Sequence, residues 1–146
     1  MKKHSLFPAV PAVAALFAAA ALLTGCGSKK SDVDVDLAGM SSTVVYAEVF
    51  NMMMDPEPYV GKTVRMDGTL NVFHDPRNGE DFFSCVIADA TACCAQGIEF
   101  VWEGEHSYPE DYPPVESEIE VSGVFSRYEQ DGQVLYHVDK ASLERI

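Results

Sequence analysis

The chain has 146 residues, with 10 Lys and Arg against 23 Asp and Glu, a formal charge of −13 and a sequence pI near 4.5. That length accommodates one domain with a leader and a tether, not two domains. The acidic balance argues against a nucleic-acid partner, because phosphates are neutralised by clustered Lys and Arg, and Lys62, Arg65, Arg77, Arg127, Lys140 and Arg145 are widely spaced.

Lys2, Lys3 and His4 give a cationic start, and residues 7–23 are almost all apolar or small. This is the layout of a secretory leader. A retained transmembrane helix is the competing reading, but the run falls short of the roughly 20 residues that cross a bilayer comfortably, and Pro8 and Pro11 interrupt its start. Leu23, Thr24, Gly25 and Cys26 resemble the lipobox of bacterial lipoproteins. The resemblance implies that residues 1–25 are a lipoprotein signal peptide, that Cys26 starts the mature chain and that it carries a diacylglyceryl lipid. It also implies a location at the cell membrane, lipid-anchored and facing outside the cytoplasm. One acyl chain is a weak anchor, at about 0.8 kcal/mol per buried methylene, so two or three chains are needed for durable attachment. From Cys26 onward the chain keeps 8 Lys and Arg and all 23 acids, a formal charge of −15.

Residues 26–42 read as the lipidated cysteine and a flexible tether, being small, polar and charged. Residues 43–146 read as the folded domain. Asp32, Asp34 and Asp36 imitate the opening of a calcium loop, but Leu37 stands where that loop needs Gly and Thr43 where it needs Glu, so calcium is not expected. Tyr46, Val49, Phe50 and Met53 recur at the spacing of one helical face, with Ser41, Ser42 and Thr43 as caps and Asp55-Pro56 as the stop. They predict a short amphipathic helix. Met52, Met53 and Met54 point in different directions on it and cannot converge on one Cu(I) ion, so core packing is the expected use.

From Lys62 the period changes to two. Val64, Met66, Gly68, Leu70 and Val72 share one face of a strand, with Gly68 as a bend or bulge. Asp75-Pro76 and Asn78-Gly79 mark a turn, and residues 81–89 read as a nearly wholly buried strand. Ile98, Phe100 and Trp102 alternate in a third strand over 97–103. Residues 104–117, rich in Pro, Tyr and acids, form a long loop. Ile119, Val121, Gly123 and Phe125, then Val134, Tyr136 and Val138 across the Asp131-Gly132 turn, predict a closing hairpin.

Five strands with a bent first strand, a long third connection and a final hairpin describe a mainly β domain. The expected architecture is a five-stranded OB-fold-like barrel with one short N-terminal helix. An immunoglobulin-like sandwich is the alternative, but its seven strands fit the length poorly. Tyr59-Val60-Gly61-Lys62-Thr63-Val64-Arg65-Met66-Asp67-Gly68 and Glu118-Ile119-Glu120-Val121-Ser122-Gly123 resemble the first and fourth strands of OB-like bacterial domains.

Cys85, Cys93 and Cys94 carry the most suggestive chemistry. Pairing of the second and third strands would bring Cys85 toward the other two. The stretch 59–100, with Cys93-Cys94-Ala95 as its sharpest motif, resembles the OB-like C-terminal part of an uncharacterised bacterial membrane-protein family associated with permeases. Three uses compete. The thiols are buried hydrophobes or form one disulfide; or they bind zinc or copper with His74, His106 or His137 completing the shell; or an odd thiol does redox work, which needs a lowered pKa. His106 lies among Glu103, Glu105, Glu110, Asp111 and Glu116, where a solvated acidic loop competes with a chelating one. Trp102, Tyr108, Tyr112 and Tyr128 are available to line a binding groove or to fill the core.

No nucleophile elbow, phosphate-binding glycine loop, dinucleotide fingerprint or H-E-x-x-H is present, and an enzyme is not expected. The leading expectation is an extracytoplasmic lipoprotein whose domain binds a ligand or a partner protein. The alternative is a thiolate metal-binding lipoprotein assisting a transporter. Its partners would be the membrane, through the anchor, and an envelope protein or transporter.

Overall fold

The computed structural model describes residues 32–146. The leader, the lipobox and Cys26 lie outside the described residues. Among the described residues, no helix is long and apolar enough to cross a membrane. The elements in order are β1 (Val35–Asp36), α1 (Ser42–Met54), a 3-10 turn (Glu57–Tyr59), β2 (Thr63–His74), β3 (Asp81–Ala88), β4 (Ala95–Trp102), β5 (Glu118–Gln130) and β6 (Gln133–Arg145). The protein is mainly β with one α-helix. Strand order in the mixed sheet is β1-β2-β3-β4-β6-β5, and β5 pairs again with β2, so the pairings of five strands run in a ring. Within that ring β4 and β6 run parallel and every other pair is antiparallel.

The long strands curl because two of them carry a built-in irregularity. Residues 63–69 of β2 pair with β5 and residues 69–74 pair with β3, so the strand changes partner beside Gly68. A Cβ at that position would stand 2.6 Å from the Val86 carbonyl oxygen and 2.7 Å from Cys85 Sγ. The glycine expected to bend the strand is therefore there because a neighbouring strand passes too close for a side chain. On β6 the buried residues are Val138 and Ala141, three apart. The register against β5 passes from Val124↔Asp139 to Ser122↔Ser142, leaving two residues of β6 opposite Gly123. That is a β-bulge, with Lys140 at φ 49°.

On β2 to β5 the inward side chains fill the ring by strict alternation. Val64, Met66 and Leu70 of β2, Cys85 and Ile87 of β3, Ile98 and Phe100 of β4, and Ile119, Val121 and Phe125 of β5 are all buried. Apolar area removed from water stabilises such a core by roughly 25 cal/mol per Å².

Four expectations change. First, β3 is not nearly wholly buried: only Cys85 and Ile87 are, while Phe82, Phe83, Ser84 and Val86 are half-buried and Asp81 and Ala88 exposed. Second, the helix buries Val49 and Met52, with Val45 packed beside them, while Phe50 and Met53 are 47% and 38% exposed. Residues 44–54 are apolar in almost every direction, so the position of α1 against β3 and β4 selects the stripe, not the periodicity. Of the three consecutive methionines only Met52 enters the core. Third, Val134 lies at the hairpin tip beyond the core and is exposed. Fourth, packing begins before residue 43. Asp34 N donates to the Thr63 carbonyl at 2.9 Å, Val35–Asp36 pairs in parallel with β2, and Leu37 is buried. The calcium-like acids are structural: Asp34 Oδ2 accepts from Thr63 N at 2.9 Å and Asp36 pairs with Arg65 at 3.0 Å.

Candidate functional site

Side chains that alternate away from the core on β2, β3, β4, β5 and β6 face outward together. With the β2–β3 turn they bound a groove of about 340 Å³. Glu99 of β4 lies in its floor, and Tyr128 of β5 donates its hydroxyl to Glu99 Oε2 at 2.8 Å. The Tyr128 ring stacks on His137 with centroids 4.5 Å apart. His137 Nδ1 stands 3.7 Å from Glu99 Oε1, buried and without a hydrogen-bond partner. Burial first, then the bond to Glu99 and its charge, pushes the Tyr128 phenol well above its ordinary pKa. Phe73 and Phe82 form one wall, their ring centroids 6.4 Å apart. Gly97 and Ser84 leave the centre shallow.

The β2–β3 turn supplies the groove's charged end. Asp75 is 2% exposed and accepts from Arg77 three times through the guanidinium, at 2.6 to 3.1 Å, and once from the Arg77 backbone N–H at 2.8 Å. The side-chain bond from Arg77, followed by its backbone bond, holds the Asp75 carboxyl below its usual pKa despite desolvation. The Arg77 side chain itself is 75% exposed, so its remaining donors face the groove mouth.

The aromatics of the long loop do not line this groove. Tyr112 stacks on Phe83 at 4.0 Å, Trp102 meets Tyr112 edge to face at 5.2 Å, and Tyr108 packs on Phe83 at 5.5 Å. His106 lies flat on Trp102 at 3.5 Å, and its Nε2 is 3.0 Å from the Glu103 carbonyl. The loop thus folds back as an aromatic lid on the rim. Of the four aromatics weighed, Tyr128 alone lines the groove.

The cysteines separate. Cys85 is buried beside Gly68, and burial first, then the charge of Asp67, pushes its thiol up to about 12. Cys93 and Cys94 are exposed in the β3–β4 connection, with sulfurs 3.7 Å apart, and the three cysteines among the described residues are all free. Two adjacent cysteines in a strand would point to opposite faces. Here the turn reverses between them and β3: Ala92 takes φ 55° and Asp89 N donates to the Cys94 carbonyl at 2.9 Å. Asp89 Oδ1 accepts from Thr91 N, Thr91 Oγ1 and Cys93 N, and Cys93 Sγ donates to Asp89 Oδ2 at 3.3 Å. Desolvation raises the Asp89 carboxyl, but the bonds from Cys93 and Thr91 outweigh it and leave the pKa lowered. The bond to Cys93, then burial and the charge of Asp89, push the Cys94 thiol up, against a bond with Tyr46 that lowers it. Redox work would need the opposite shift.

No family model matches the sequence, and no curated protein is detectably similar to it. The likenesses to lipoproteins, OB-like domains and the permease-associated family rest on the residues quoted above.

None of the three histidines joins the cysteines. His74 is exposed, with Nδ1 2.8 Å from Asp81 Oδ1 across the β2–β3 pair; His106 is held by Trp102; His137 lies by Glu99. Among the described residues, the one group able to converge on a metal ion is Asp89, Cys93 and Cys94. Sequence reasoning missed Asp89, although the run Asp89-Ala90-Thr91 has the Asx-turn composition that folds such a loop back. It also missed Glu99, Phe73 and Arg77, whose grouping depends on three separate strand pairings.

Proposed function

We propose that the protein is a membrane-tethered binding module: the ring of β2 to β6 is an OB-fold-like barrel, Cys26 carries the lipid anchor, and the groove holds a neutral, hydroxyl-rich ligand of the oligosaccharide class. The position of the groove is the observation that carries this reading. Counting β2 to β6 as the five strands, it lies on the outer face of the second and third. It runs between the first turn, with Asp75 and Arg77, and the last hairpin, with Gln130 and Leu135. That is the face through which OB-folds take oligonucleotides and oligosaccharides. The formal charge of −15 from Cys26 onward, with Arg77 already paired to Asp75, favours an uncharged ligand over a polyanion. Phe73 and Phe82 offer ring faces for a pyranose, while Glu99, Gln130 and Arg77 offer an acceptor and donors.

Two experiments test it. Calorimetric titration of the detergent-solubilised full chain with soluble chito-oligosaccharides and cell-wall glycan fragments should give saturable heat, lost in Phe82→Ala and weakened in Tyr128→Phe. No binding of either glycan sinks the ligand class. Metabolic labelling with a fatty-acid analogue should mark the wild type and not Cys26→Ala; a Cys26→Ala protein still wholly in the membrane fraction counts against the anchor.

A further inference from the structure

The β3–β4 connection carries a second feature that the groove does not use. Asp89, Cys93 and Cys94 present one oxygen and two sulfurs within 4.8 Å of one another, on a turn fixed before any ligand arrives. Asp89 Oδ1 is occupied by its three bonds from Thr91 and Cys93, which leaves Oδ2 turned toward the sulfurs. We propose that these three residues form a zinc-binding site with its fourth position open to solvent.

The distances select the ion. A tetrahedral zinc with Zn–S bonds of about 2.3 Å holds its sulfurs about 3.8 Å apart, and the Cys93 and Cys94 sulfurs are 3.7 Å apart. A thiolate sulfur and a carboxylate oxygen on the same ion stand about 3.5 Å apart, and Cys93 Sγ to Asp89 Oδ2 is 3.3 Å. A linear Cu(I) dithiolate would instead place the sulfurs more than about 4 Å apart, at opposite ends of the ion. Hard cations such as Ca²⁺ and Mg²⁺ seek oxygen shells and have one oxygen here. Binding replaces the two S–H bonds by two Zn–S bonds, the two protons leave to solvent, and the carboxylate donates a lone pair without change of charge.

The site is exposed at both cysteines, so an ion enters without opening the fold. Structural zinc sites close with four protein ligands, whereas three ligands leave the fourth place to water or another small ligand.

The test uses the full chain in detergent, reduced and stripped of metal, titrated with Zn²⁺ against a chromogenic chelator and separately with Co²⁺. The wild type should bind one equivalent and give a sulfur-to-cobalt charge-transfer band with intense tetrahedral d–d bands. Cys93→Ser/Cys94→Ser should weaken binding at least a hundredfold and abolish the charge-transfer band. Asp89→Asn should weaken it about tenfold. Cys85→Ser, outside this turn, should retain both affinity and spectrum. A double-serine variant that binds like the wild type, a Cys85→Ser variant that loses the site, or cobalt bound without the charge-transfer band would each overturn the proposal.

Discussion

Replacing Gly123 with alanine adds one methyl group and changes no charge, yet it should lower the melting temperature more than the same change at any turn glycine. The added Cβ would stand 2.6 Å from the Asp139 carbonyl oxygen, 2.7 Å from Val138 Cγ1 and 3.0 Å from Ala141 Cα. Ordinary carbon contacts lie at about 3.5 to 4.0 Å, so β6 would have to move away by about 1 Å at its bulge. Two of the three atoms are backbone and the third belongs to a fully buried valine, so no flexible chain end can absorb the shift. Overpacking of this kind typically costs about 1–3 kcal/mol, and the lack of slack places this one near about 3. For a domain of this size that corresponds to a fall of about 10–15 °C. Gly132→Ala is the control, because it has φ 74° but nothing within 4 Å, leaving backbone strain of roughly 1 kcal/mol. Melting followed by far-ultraviolet circular dichroism compares the two in one detergent. If Gly132→Ala proves as destabilising as Gly123→Ala, the bulge does not sit where the register places it.

Met52→Ala should cost about 2–5 kcal/mol in denaturant unfolding, while Phe50→Ala on the exposed side should cost less than about 1; the reverse order would restore the helix face suggested by periodicity. Native alkylation of the reduced protein, mapped by mass spectrometry, should modify Cys93 and Cys94 and leave Cys85 untouched until denaturant is added. Equal labelling of Cys85 would place it outside the core. Asp75 has a depressed pKa in the fold, so its contribution is present above the unfolded carboxylate value and is lost as pH falls through the folded one. The melting gap between wild type and Asp75→Asn should therefore be constant from pH 7 to about 5 and narrow below about pH 4; a gap that widens in acid contradicts the Arg77 pairing.

Strand content was legible because β2 and β5 alternate cleanly against a single buried face, and Gly68 marked its bend. The bulge in β6 was not legible, since Lys140 at φ 49° replaces the glycine that usually signals a left-handed residue. Nor was β1: two residues paired in parallel have no period, and their neighbours looked like tether by composition. The helix was legible in extent but not in orientation. For the site, Cys93 and Cys94 stood out by type, but adjacency suggested divergence, and only the left-handed Ala92 turn makes the sulfurs converge. Their third partner came from four residues upstream instead of from the histidines, which are engaged by Asp81, by Trp102 and by Glu99. The groove was invisible for the same reason, being assembled from residues 73 to 135 across five strands.

The short β1 pairing starts the packed domain at Asp34, which bears on the reach of any anchor placed before it. If Cys26 bears the proposed anchor, only the seven positions 27–33 separate it in sequence from Asp34, which is bonded to Thr63, where composition alone suggested a tether of sixteen. Seven residues reach about 25 Å at full stretch, less than the width of a domain whose radius of gyration is about 13 Å. Under the proposed anchoring, then, whatever the domain meets must come to within one protein's thickness of the membrane surface.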